Sequence, residues 1–363
     1  MKKKIGIITF QNAYNYGATL QCIALQETLK NINKNNEVYV IDYRNQTIDN
    51  SYKAFSFNSG NIFKFIVKGL IFLPQTIKRN KKYSKFLKEK LNLTKECHNK
   101  KEVEEITKSF DVLISGSDQV WNGEATGGID PIYFLNFKTD AKKISYAASL
   151  GSNKMEDKEY FYKLLSPFDS ISVREKDGCE IVEKICGKKV ENVLDPTLII
   201  DSNYWLQFVN NNIQYSNYIF SYSPNKSVKF PELVNYVSNT NNNKVINVYR
   251  DNIGYKNILK NANTSDPYEF LNLIYNSNIV ITTSFHATVF SIIFKKNFWV
   301  LSPSNNKSRI YTLLSLLGIE ERSLDSIETL KSKDINEKID YEKVEKRLEE
   351  LKKDSINWLK ENL

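Results

Sequence analysis

The chain has few of the residues on which metal and redox chemistry usually depend. Its 363 residues include four cysteines and two histidines. The cysteines are Cys22, Cys97, Cys179 and Cys186, and none forms a CxxC pair. We therefore expect ordinary reduced thiols and no zinc or disulfide motif.

Long apolar runs are also missing. No stretch approaches the roughly 20 apolar residues of a membrane-spanning helix. The N-terminal run MKKKIGIITF is too short for the apolar region of a signal peptide. These absences favour a cytoplasmic protein.

Positive charge is unevenly spread along the chain. The formal net charge is +9, and many of the lysines lie between Lys53 and Lys101. The apolar stretch Ile62–Leu73 lies within this region and carries Lys64 and Lys68. It fits a core-packing helix with solvated lysines, or a helix that rests on anionic lipid at the inner face of the membrane. No nucleic-acid motif accompanies the charge, so nucleic acid is not an expected partner.

The length and the order of apolar segments predict two α/β domains with a cleft between them. Short apolar runs rich in β-branched residues predict strands. They are Lys4–Phe10, Glu37–Asp42, Asp111–Ile114, Lys143–Ala148, Ser170–Val173 and Glu191–Leu194, then Tyr218–Tyr222, Lys244–Tyr249, Asn278–Thr282 and Asn297–Leu301. We expect an N-terminal domain over 1–200, a C-terminal domain over 201–330, and a tail over 331–363 with a long amphipathic helix.

Helix signals support this alternation. Ala18, Cys22, Leu25 and Leu29 fall at helical spacing after the first predicted strand. The sequence Asp266-Pro267-Tyr268-Glu269 predicts a helix start, since Asp caps, Pro fits the first turn and Glu completes a capping box. Strand, helix and strand in this order indicate parallel sheets.

His286 is the most informative single residue. It lies in the segment NIVITTSFHATVFSIIF, where a buried strand is followed by a helix. Open α/β sheets bind ligands at such junctions, and histidine transfers protons near neutral pH. The alternative is a buried structural histidine that donates to a carbonyl.

Other polar loops follow predicted strands in the first domain. They read QNAYNYG at Gln11–Gly17, SGSDQVWN at Ser115–Asn122, Arg174 after SISV, and Asp195-Pro196. The first loop is no GxGxxG fingerprint, so dinucleotide binding is not predicted. Asp195 is typical of a turn-forming cap, and Trp121 fits either a sugar-stacking surface or the core.

Six segments in order resemble the polysaccharide pyruvyl transferase family. They are KIGIITFQNAYNYGATLQ, VLISGSDQVWN, KKISYAASLGS, SVREKDG, VLDPTLI and ITTSFHATVFSIIF. The resemblance implies two Rossmann-like domains in a GT-B-like fold, the first on the acceptor side with part of the donor site and the second on the donor side. It also implies transfer of a pyruvyl group from phosphoenolpyruvate to two sugar hydroxyls as a cyclic ketal.

The resemblance implies roles for residues at the donor. It assigns Arg174 to the donor and His286 to acid–base catalysis. The alternative for Arg174 is an interdomain salt bridge. Members of the family commonly have Arg-x-His where this chain has Ser284-Phe285-His286. The hydroxyls of Thr283, Ser284 and Thr288, together with the N–H groups of the following helix, can still bind an anion. Arg309 is a candidate for the missing positive charge.

The acceptor side has its own candidates. Asp118 fits a base toward the acceptor hydroxyl, or a cap of the next helix, and Gly116, Ser117 and Gln119 accompany it in the loop. Asn15, Tyr16 and Gly17 suit sugar hydroxyls or a phosphate, or they form a turn that opens the helix.

The sequence therefore predicts an enzyme of cell-surface polysaccharide synthesis, for an exopolysaccharide or a capsule. Its expected partners are phosphoenolpyruvate as co-substrate and a saccharide acceptor that is lipid-linked or free, with no further cofactor and no metal. The alternatives are a GT-B-like glycosyltransferase that uses a sugar nucleotide, and an inactive glycan-binding relative.

Overall fold

The structure, a computed structural model, divides into two compact units. It describes residues 2–52, 62–151, 155, 157–210, 215–224, 229–248, 252–302 and 309–363, with the backbone alone over 62–72. Unit 1 is Met1–Ile200 with Leu351–Leu363, and unit 2 is Asp201–Glu350. Each unit holds one six-stranded sheet in which all neighbouring strands are parallel. The predicted α/β class with two parallel-sheet domains is confirmed.

The sheet of unit 1 has the strand order β2-β1-β3-β4-β5-β6. Its strands are β1 (Lys4–Ile8), β2 (Glu37–Val40), β3 (Val112–Ser115), β4 (Lys142–Ala148), β5 (Ser170–Val173) and β6 (Val190–Asn192). Ile5, Ile7 and Ile8 of β1 are fully buried. Central parallel strands are covered on both faces, which is why they read as continuous apolar runs.

Helices connect these strands. They are α1 (Tyr16–Ile32), α2 (Gln46–Ser51), α3 (Ile62–Lys90), α4 (Lys100–Thr107), α5 (Gly123–Thr126), a 3-10 helix (Pro131–Phe134), α6 (Lys158–Leu165), α7 (Lys176–Cys186) and α8 (Pro196–Ile199). The first helix begins two residues before the predicted Ala18, because Asn15 caps it. The Oδ1 atom of Asn15 accepts hydrogen bonds from Gly17 N at 2.9 Å and Ala18 N at 3.3 Å.

The sheet of unit 2 has the strand order β12-β11-β10-β7-β8-β9. Its strands are β7 (Tyr218–Tyr222), β8 (Lys244–Asn247), β9 (Ile258–Asn261), β10 (Ile279–Thr282), β11 (Asn297–Leu301) and β12 (Ser323–Leu324). The strands β9 and β12 were not predicted from the sequence. Both lie at sheet edges, and none of the four β9 residues is fully buried, so neither produces a long apolar run.

The helices of unit 2 include the predicted Asp266-capped one. They are α9 (Ser202–Leu206), α10 (Lys229–Asn241), α11 (Pro267–Tyr275), α12 (Phe285–Ile293), α13 (Arg309–Leu317), a 3-10 helix (Glu320–Arg322), α14 (Ile327–Lys331) and α15 (Tyr341–Asn362). Asp266 Oδ1 accepts from Glu269 N at 2.8 Å, and Glu269 Oε2 accepts from Asp266 N at 3.1 Å. This reciprocal pair is the predicted capping box.

The long C-terminal helix α15 contributes residues to both units. Its residues up to Glu350 belong to unit 2, where Val344 and Leu348 are buried. Its residues from Leu351 onward belong to unit 1, where Leu359 is fully buried. The predicted tail over 331–363 is thus divided between the two cores.

The lysine-rich apolar stretch Ile62–Leu73 forms the first part of α3. The side chains of Lys64 and Lys68 lie outside the described residues, so contact of this stretch with lipid stays a prediction. Among the described residues, none of the helices combines the length and the apolar character needed to cross a membrane.

Candidate functional site

The predicted site residues form two groups, one in each unit, at the carboxyl ends of the parallel strands. The group in unit 1 follows β1, β3 and β5 and consists of Asn15, Tyr16, Gly17, Gly116, Ser117, Asp118, Gln119 and Arg174. The group in unit 2 follows β10 and β11 and consists of Thr283, Ser284, Phe285, His286 and Arg309. This is the edge at which doubly wound sheets bind ligands.

Arg174 is buried and already paired with carboxylates. Its Nη1 lies 2.8 Å from Asp195 Oδ2, its Nε lies 3.3 Å from Glu175 Oε1, and its side chain is 3% exposed. Burial alone would lower the pKa of the guanidinium, but the charges of Glu175, Asp195 and Asp118 outweigh burial and raise it. Arg174 is therefore a permanent cation whose charge is compensated within unit 1.

Asp195 connects three loops of unit 1. As the cap of α8, it accepts at Oδ1 from Thr197 N at 3.0 Å and Thr197 Oγ1 at 2.6 Å. At Oδ2 it accepts from Ser117 Oγ at 3.2 Å and from Arg174. The predicted turn-forming cap is confirmed, and the ion pair is a second role that the sequence did not reveal.

Glu175 is a further member of this group that was not predicted from the sequence. Its Oε1 accepts from Ser149 Oγ at 2.7 Å and from Arg174 Nε. Its Oε2 is buried and accepts no hydrogen bond from any described residue. Glu175 directly follows Arg174 and precedes α7. Its position after a strand was the signal in the sequence that could have identified it as a site residue.

Asp118 lies in a strained loop beside this cluster. Its φ is +78°, in the left-handed region that non-glycine residues rarely adopt. Its carbonyl oxygen accepts from Ser149 N at 2.9 Å, and its Oδ1 accepts from Gln119 N at 2.9 Å. Asn122 caps the next helix α5, so of the two roles predicted for Asp118 the helix cap is excluded. Strain of this kind concentrates at functional sites.

The same loop is packed against a glycine. Gly151 has a φ of +68°, and a Cβ at this position would come within 2.4 Å of Asn122 Nδ2 and 2.6 Å of Gln119 Oε1. Gly116 precedes Ser117 in the buried start of the loop, close to Ile7 and Thr9. Thr9 Oγ1 donates to the carbonyl of Ser117 at 2.8 Å. These contacts fix the path of the loop in front of Asp118.

Packing bears on two of the predicted alternatives. Trp121 is 2% exposed, and its ring stacks on Phe134 with centroids 5.2 Å apart, so it is a core residue. Asn15 uses its side chain to cap α1, and Tyr16 is buried with its ring 5.6 Å from Tyr83. Asn15, Tyr16 and Gly17 therefore form the turn that opens α1, and contact of these residues with a ligand stays a prediction.

The group in unit 2 is built from hydroxyls. Ser284 caps α12, with Oγ accepting from Ala287 N at 3.4 Å, and its own N–H donates to Thr282 Oγ1 at 3.0 Å. Thr283 Oγ1 and Ser223 Oγ lie 2.8 Å apart in a hydrogen bond. The position at which the resemblance places an arginine is thus occupied by a neutral helix cap.

His286 is the second residue of α12 and is 8% exposed. Its ring meets the ring of Phe285 edge to face, with centroids 5.2 Å apart. The N-terminus of a helix carries partial positive charge and unpaired N–H groups, which favour an anion. His286 is therefore positioned beside a surface suited to an anionic ligand.

Arg309 is the first residue of α13 and is half-buried. The six residues before it lie outside the described part of the chain. Its predicted role, the cation that replaces the missing arginine, stays a prediction.

Cysteine chemistry is disfavoured at neutral pH. Burial, with nearby carboxylates as the lesser cause, raises the pKa of both Cys97 and Cys179 to about 12. Burial also raises the pKa of Cys22. Reactive cysteines need a lowered pKa, so these three thiols are not expected to act as nucleophiles.

The family model described as polysaccharide pyruvyl transferase matches residues 15–305. The match includes every predicted site residue except Arg309. None of the curated proteins matches the sequence significantly.

Solved structures of distant sequence share the fold. A putative UDP-N-acetylglucosamine 2-epimerase from Listeria monocytogenes has a TM-score of 0.54 and 10% identity, with 95% of this chain and 91% of that chain covered. The UDP-GlcNAc 2-epimerase from Neisseria meningitidis, bound to UDP-GlcNAc, has a TM-score of 0.50 and 11% identity, with 98% and 94% covered. The similarity confirms the GT-B-like two-domain fold and, at these identities, the fold alone.

Proposed function

The chain belongs to the polysaccharide pyruvyl transferase family, and from this membership we propose that it transfers the pyruvyl group of phosphoenolpyruvate to a sugar. The product is a cyclic ketal on two hydroxyls of a cell-surface polysaccharide precursor, and phosphate is released. The match over residues 15–305 carries the proposal. Phosphoenolpyruvate acts as co-substrate, and no other cofactor is required.

The donor is proposed to bind in unit 2, at the group of residues in which serine and threonine side chains supply hydroxyls. Phosphoenolpyruvate carries a carboxylate and a phosphate, so its site needs N–H and O–H donors without competing negative charge. Ser223, Thr283 and the N-terminus of α12 supply such donors around His286. The cluster in unit 1 is less suited to an anion, because three carboxylates surround its one arginine.

The proposed reaction balances with two hydroxyls and one proton donor. His286 gives a proton to the methylene carbon of the donor, and the carbon that bears the phosphate becomes electrophilic. The first sugar hydroxyl forms a C–O bond there, the C–O bond to phosphate breaks, and the second hydroxyl closes the ring. One hydroxyl proton replaces the proton lost by His286, and the other leaves with phosphate.

Asp118 is proposed as the base that takes a proton from one acceptor hydroxyl and passes it to the departing phosphate. Its carboxylate lies close enough to Arg174 to raise the pKa of the guanidinium, so the charge of the base is partly balanced. The pairing of Arg174 with Glu175 and Asp195 favours a role in which Arg174 orders the acidic loops. It does not favour Arg174 as the main counter-charge of the donor.

The direct test is turnover. The full chain is incubated with phosphoenolpyruvate and a panel of nitrophenyl and lipid-linked sugars, with and without EDTA. We expect phosphate release that depends on the sugar, an acid-labile ketal, and no effect of EDTA. Folded protein that forms no ketal with any sugar would oppose the proposal. Thermal stabilisation by a UDP- or GDP-sugar instead of phosphoenolpyruvate would favour a glycosyltransferase.

The proposed setting is the cytoplasmic face of the membrane, where lipid-linked precursors are assembled. Co-sedimentation with anionic liposomes tests this setting, with a Lys64→Ala/Lys68→Ala double variant as the comparison. Equal sedimentation of the two proteins would separate the α3 lysines from membrane binding.

A further inference from the structure

Unit 2 has a polar depression beside the edge of its sheet. It lies between α11 and the edge strand β9 and has an empty volume of about 430 Å³ with its open mouth included. Tyr218 and Leu273 contribute to its lining and are largely buried. Tyr218 is the first residue of β7, whereas Ser223, which contributes to the proposed donor site, follows the last residue of β7. The depression is therefore built from other residues than the proposed donor site.

Two amide side chains line the depression in fixed orientations. Asn272 Oδ1 accepts from Asn210 N and from Asn276 Nδ2, both at 3.1 Å. Asn276 Nδ2 also donates to the carbonyl of Asn272 at 2.9 Å. In the described part of the chain, Asn272 Nδ2 donates no hydrogen bond and Asn276 Oδ1 accepts none. One donor and one acceptor are thus held ready for a ligand, because the other half of each amide fixes its orientation.

The remaining lining residues add an aromatic ring and two opposite charges. Lys260 Nζ lies 5.0 Å from the centroid of the Tyr215 ring. Glu269 lines the same depression, with its carboxylate held by the capping box of α11. One lysine and one glutamate leave the depression without net charge, so neither an anion nor a cation is favoured.

We infer that this depression binds a saccharide ring. A sugar has apolar C–H faces and a rim of hydroxyls that both donate and accept. Leu273 and the ring of Tyr215 suit the C–H faces, and the paired amides with Lys260 and Glu269 suit the hydroxyls. A free phosphate would need net positive charge, and a peptide would need a longer groove.

The inference concerns a site other than the proposed donor site, and its role in transfer rests on the proposed function. In pyruvyl transfer to a glycan, a saccharide site away from His286 would hold a neighbouring sugar unit, so that binding strength and transfer rate are set by different residues. The site would remain in the molecule if the transferred group were something other than pyruvate.

Saturation-transfer NMR on the full chain tests the inference. The probes are methyl glycosides of glucose, galactose, mannose, N-acetylglucosamine and N-acetylmannosamine, and disaccharides of each. We expect transfer to at least one probe. Binding should fall about tenfold in Asn272→Ala and in Tyr215→Ala, because each loses a contact worth about one hydrogen bond or ring face.

Two control variants assign the signal to a site. Asn278→Ala removes an exposed asparagine near the same helix and should bind as the parent does. His286→Ala alters the proposed transfer site and reports any sugar that is bound there. Loss in His286→Ala with retention in Asn272→Ala would overturn the inference, as would no transfer to any probe. If Asn272→Ala does not fold, Lys260→Gln and Asn276→Asp at the rim take its place.

The failure of this inference is separable from the failure of the proposed function. Sugar binding that is lost in Asn272→Ala, in a protein without phosphoenolpyruvate turnover, would support the depression and oppose pyruvyl transfer. The opposite result is turnover and sugar binding that are both unchanged in Asn272→Ala and Tyr215→Ala, with long and short acceptors. It would support pyruvyl transfer and oppose the depression as a saccharide site.

Discussion

The two groups of polar residues occupy equivalent places in their sheets and have opposite chemical character. In unit 1, one buried arginine is surrounded by carboxylates, and ion pairs hold the loops. In unit 2, the loops are held by neutral hydroxyls and helix caps around His286. The position in the fold selects where a ligand binds, and the side chains select its charge. Carboxylates suit neutral sugar hydroxyls, and a helix N-terminus suits an anion.

The largest expected effect comes from Asp195→Ala. The substitution leaves Arg174 buried without its closest partner, and Ser117 and Thr197 lose their acceptor. Removing one member of a buried ion pair costs about 3–5 kcal/mol. Urea unfolding measures the loss, with Asp201→Ala as the matched control. Asp201 also caps a helix, but among the described residues its side chain accepts from Asn203 N alone, so its loss should cost about 1 kcal/mol. Equal losses in the two variants would mean that the ion pair does not stabilise unit 1.

The second largest effect is expected on the rate of phosphate release. His286→Gln should lower phosphate release from phosphoenolpyruvate roughly 100-fold or more, because general acid–base catalysis contributes about that much. The free energy of unfolding should change little, since the glutamine is similar in size and the residue lies at the helix start. The control is His98→Gln, whose imidazole is exposed and lies 3.0 Å from Glu96. A rate equal to that of the parent would remove His286 from the reaction.

Glu175→Gln tests whether the polar residues of unit 1 and those of unit 2 bind different substrates. The variant keeps the shape of the side chain and removes one negative charge from unit 1. We expect the acceptor KM to rise about tenfold while the donor KM stays the same or falls, since charge-assisted hydrogen bonds are worth about 1.5–3 kcal/mol. Steady-state kinetics with each substrate varied in turn measures both constants. A rise confined to the donor KM would place the anion in unit 1 and reverse the comparison.

The smallest effect concerns the helix cap. Ser284→Ala should destabilise the protein by about 1 kcal/mol through loss of the cap of α12. Ser284→Arg should lose the same cap and bind phosphoenolpyruvate more tightly, because it adds a cation beside the hydroxyls of the proposed donor site. Thermal melts with and without phosphoenolpyruvate distinguish the loss of the helix cap from the gain in donor binding. Weaker binding in Ser284→Arg would show that the hydroxyl itself contacts the donor.

The interior of the fold was readable from the sequence because burial leaves a local pattern. Ser170–Val173, Tyr218–Tyr222 and Asn297–Leu301 were predicted with their observed bounds, since each is an apolar run between polar loops. The edge strands Ile258–Asn261 and Ser323–Leu324 were missed, because a partly exposed strand has no such run.

The contacts within the candidate site were less readable. Arg174 and Asp195 are 21 residues apart in sequence, and they meet because β5 and β6 are neighbours in the sheet. Strand order is a property of the whole sheet, so no local pattern predicts it. Ser284 was recognised as a departure from the family's arginine, but its role as the cap of α12 required the position of the helix start.

The division of α15 between the two units has a consequence for synthesis on the ribosome. Leu194, next to Asp195, donates its backbone N–H to Ser355 Oγ at 3.0 Å, and the Trp358 ring lies 6.1 Å from that of Tyr146. These partners are translated about 150 residues after the rest of unit 1 is complete, a delay of roughly 8–30 s at about 5–20 residues per second. Unit 1 therefore emerges first and is completed last, and its nascent form exposes the surface that Leu359 later covers. A chaperone that binds apolar segments would meet this surface before unit 2 has been made.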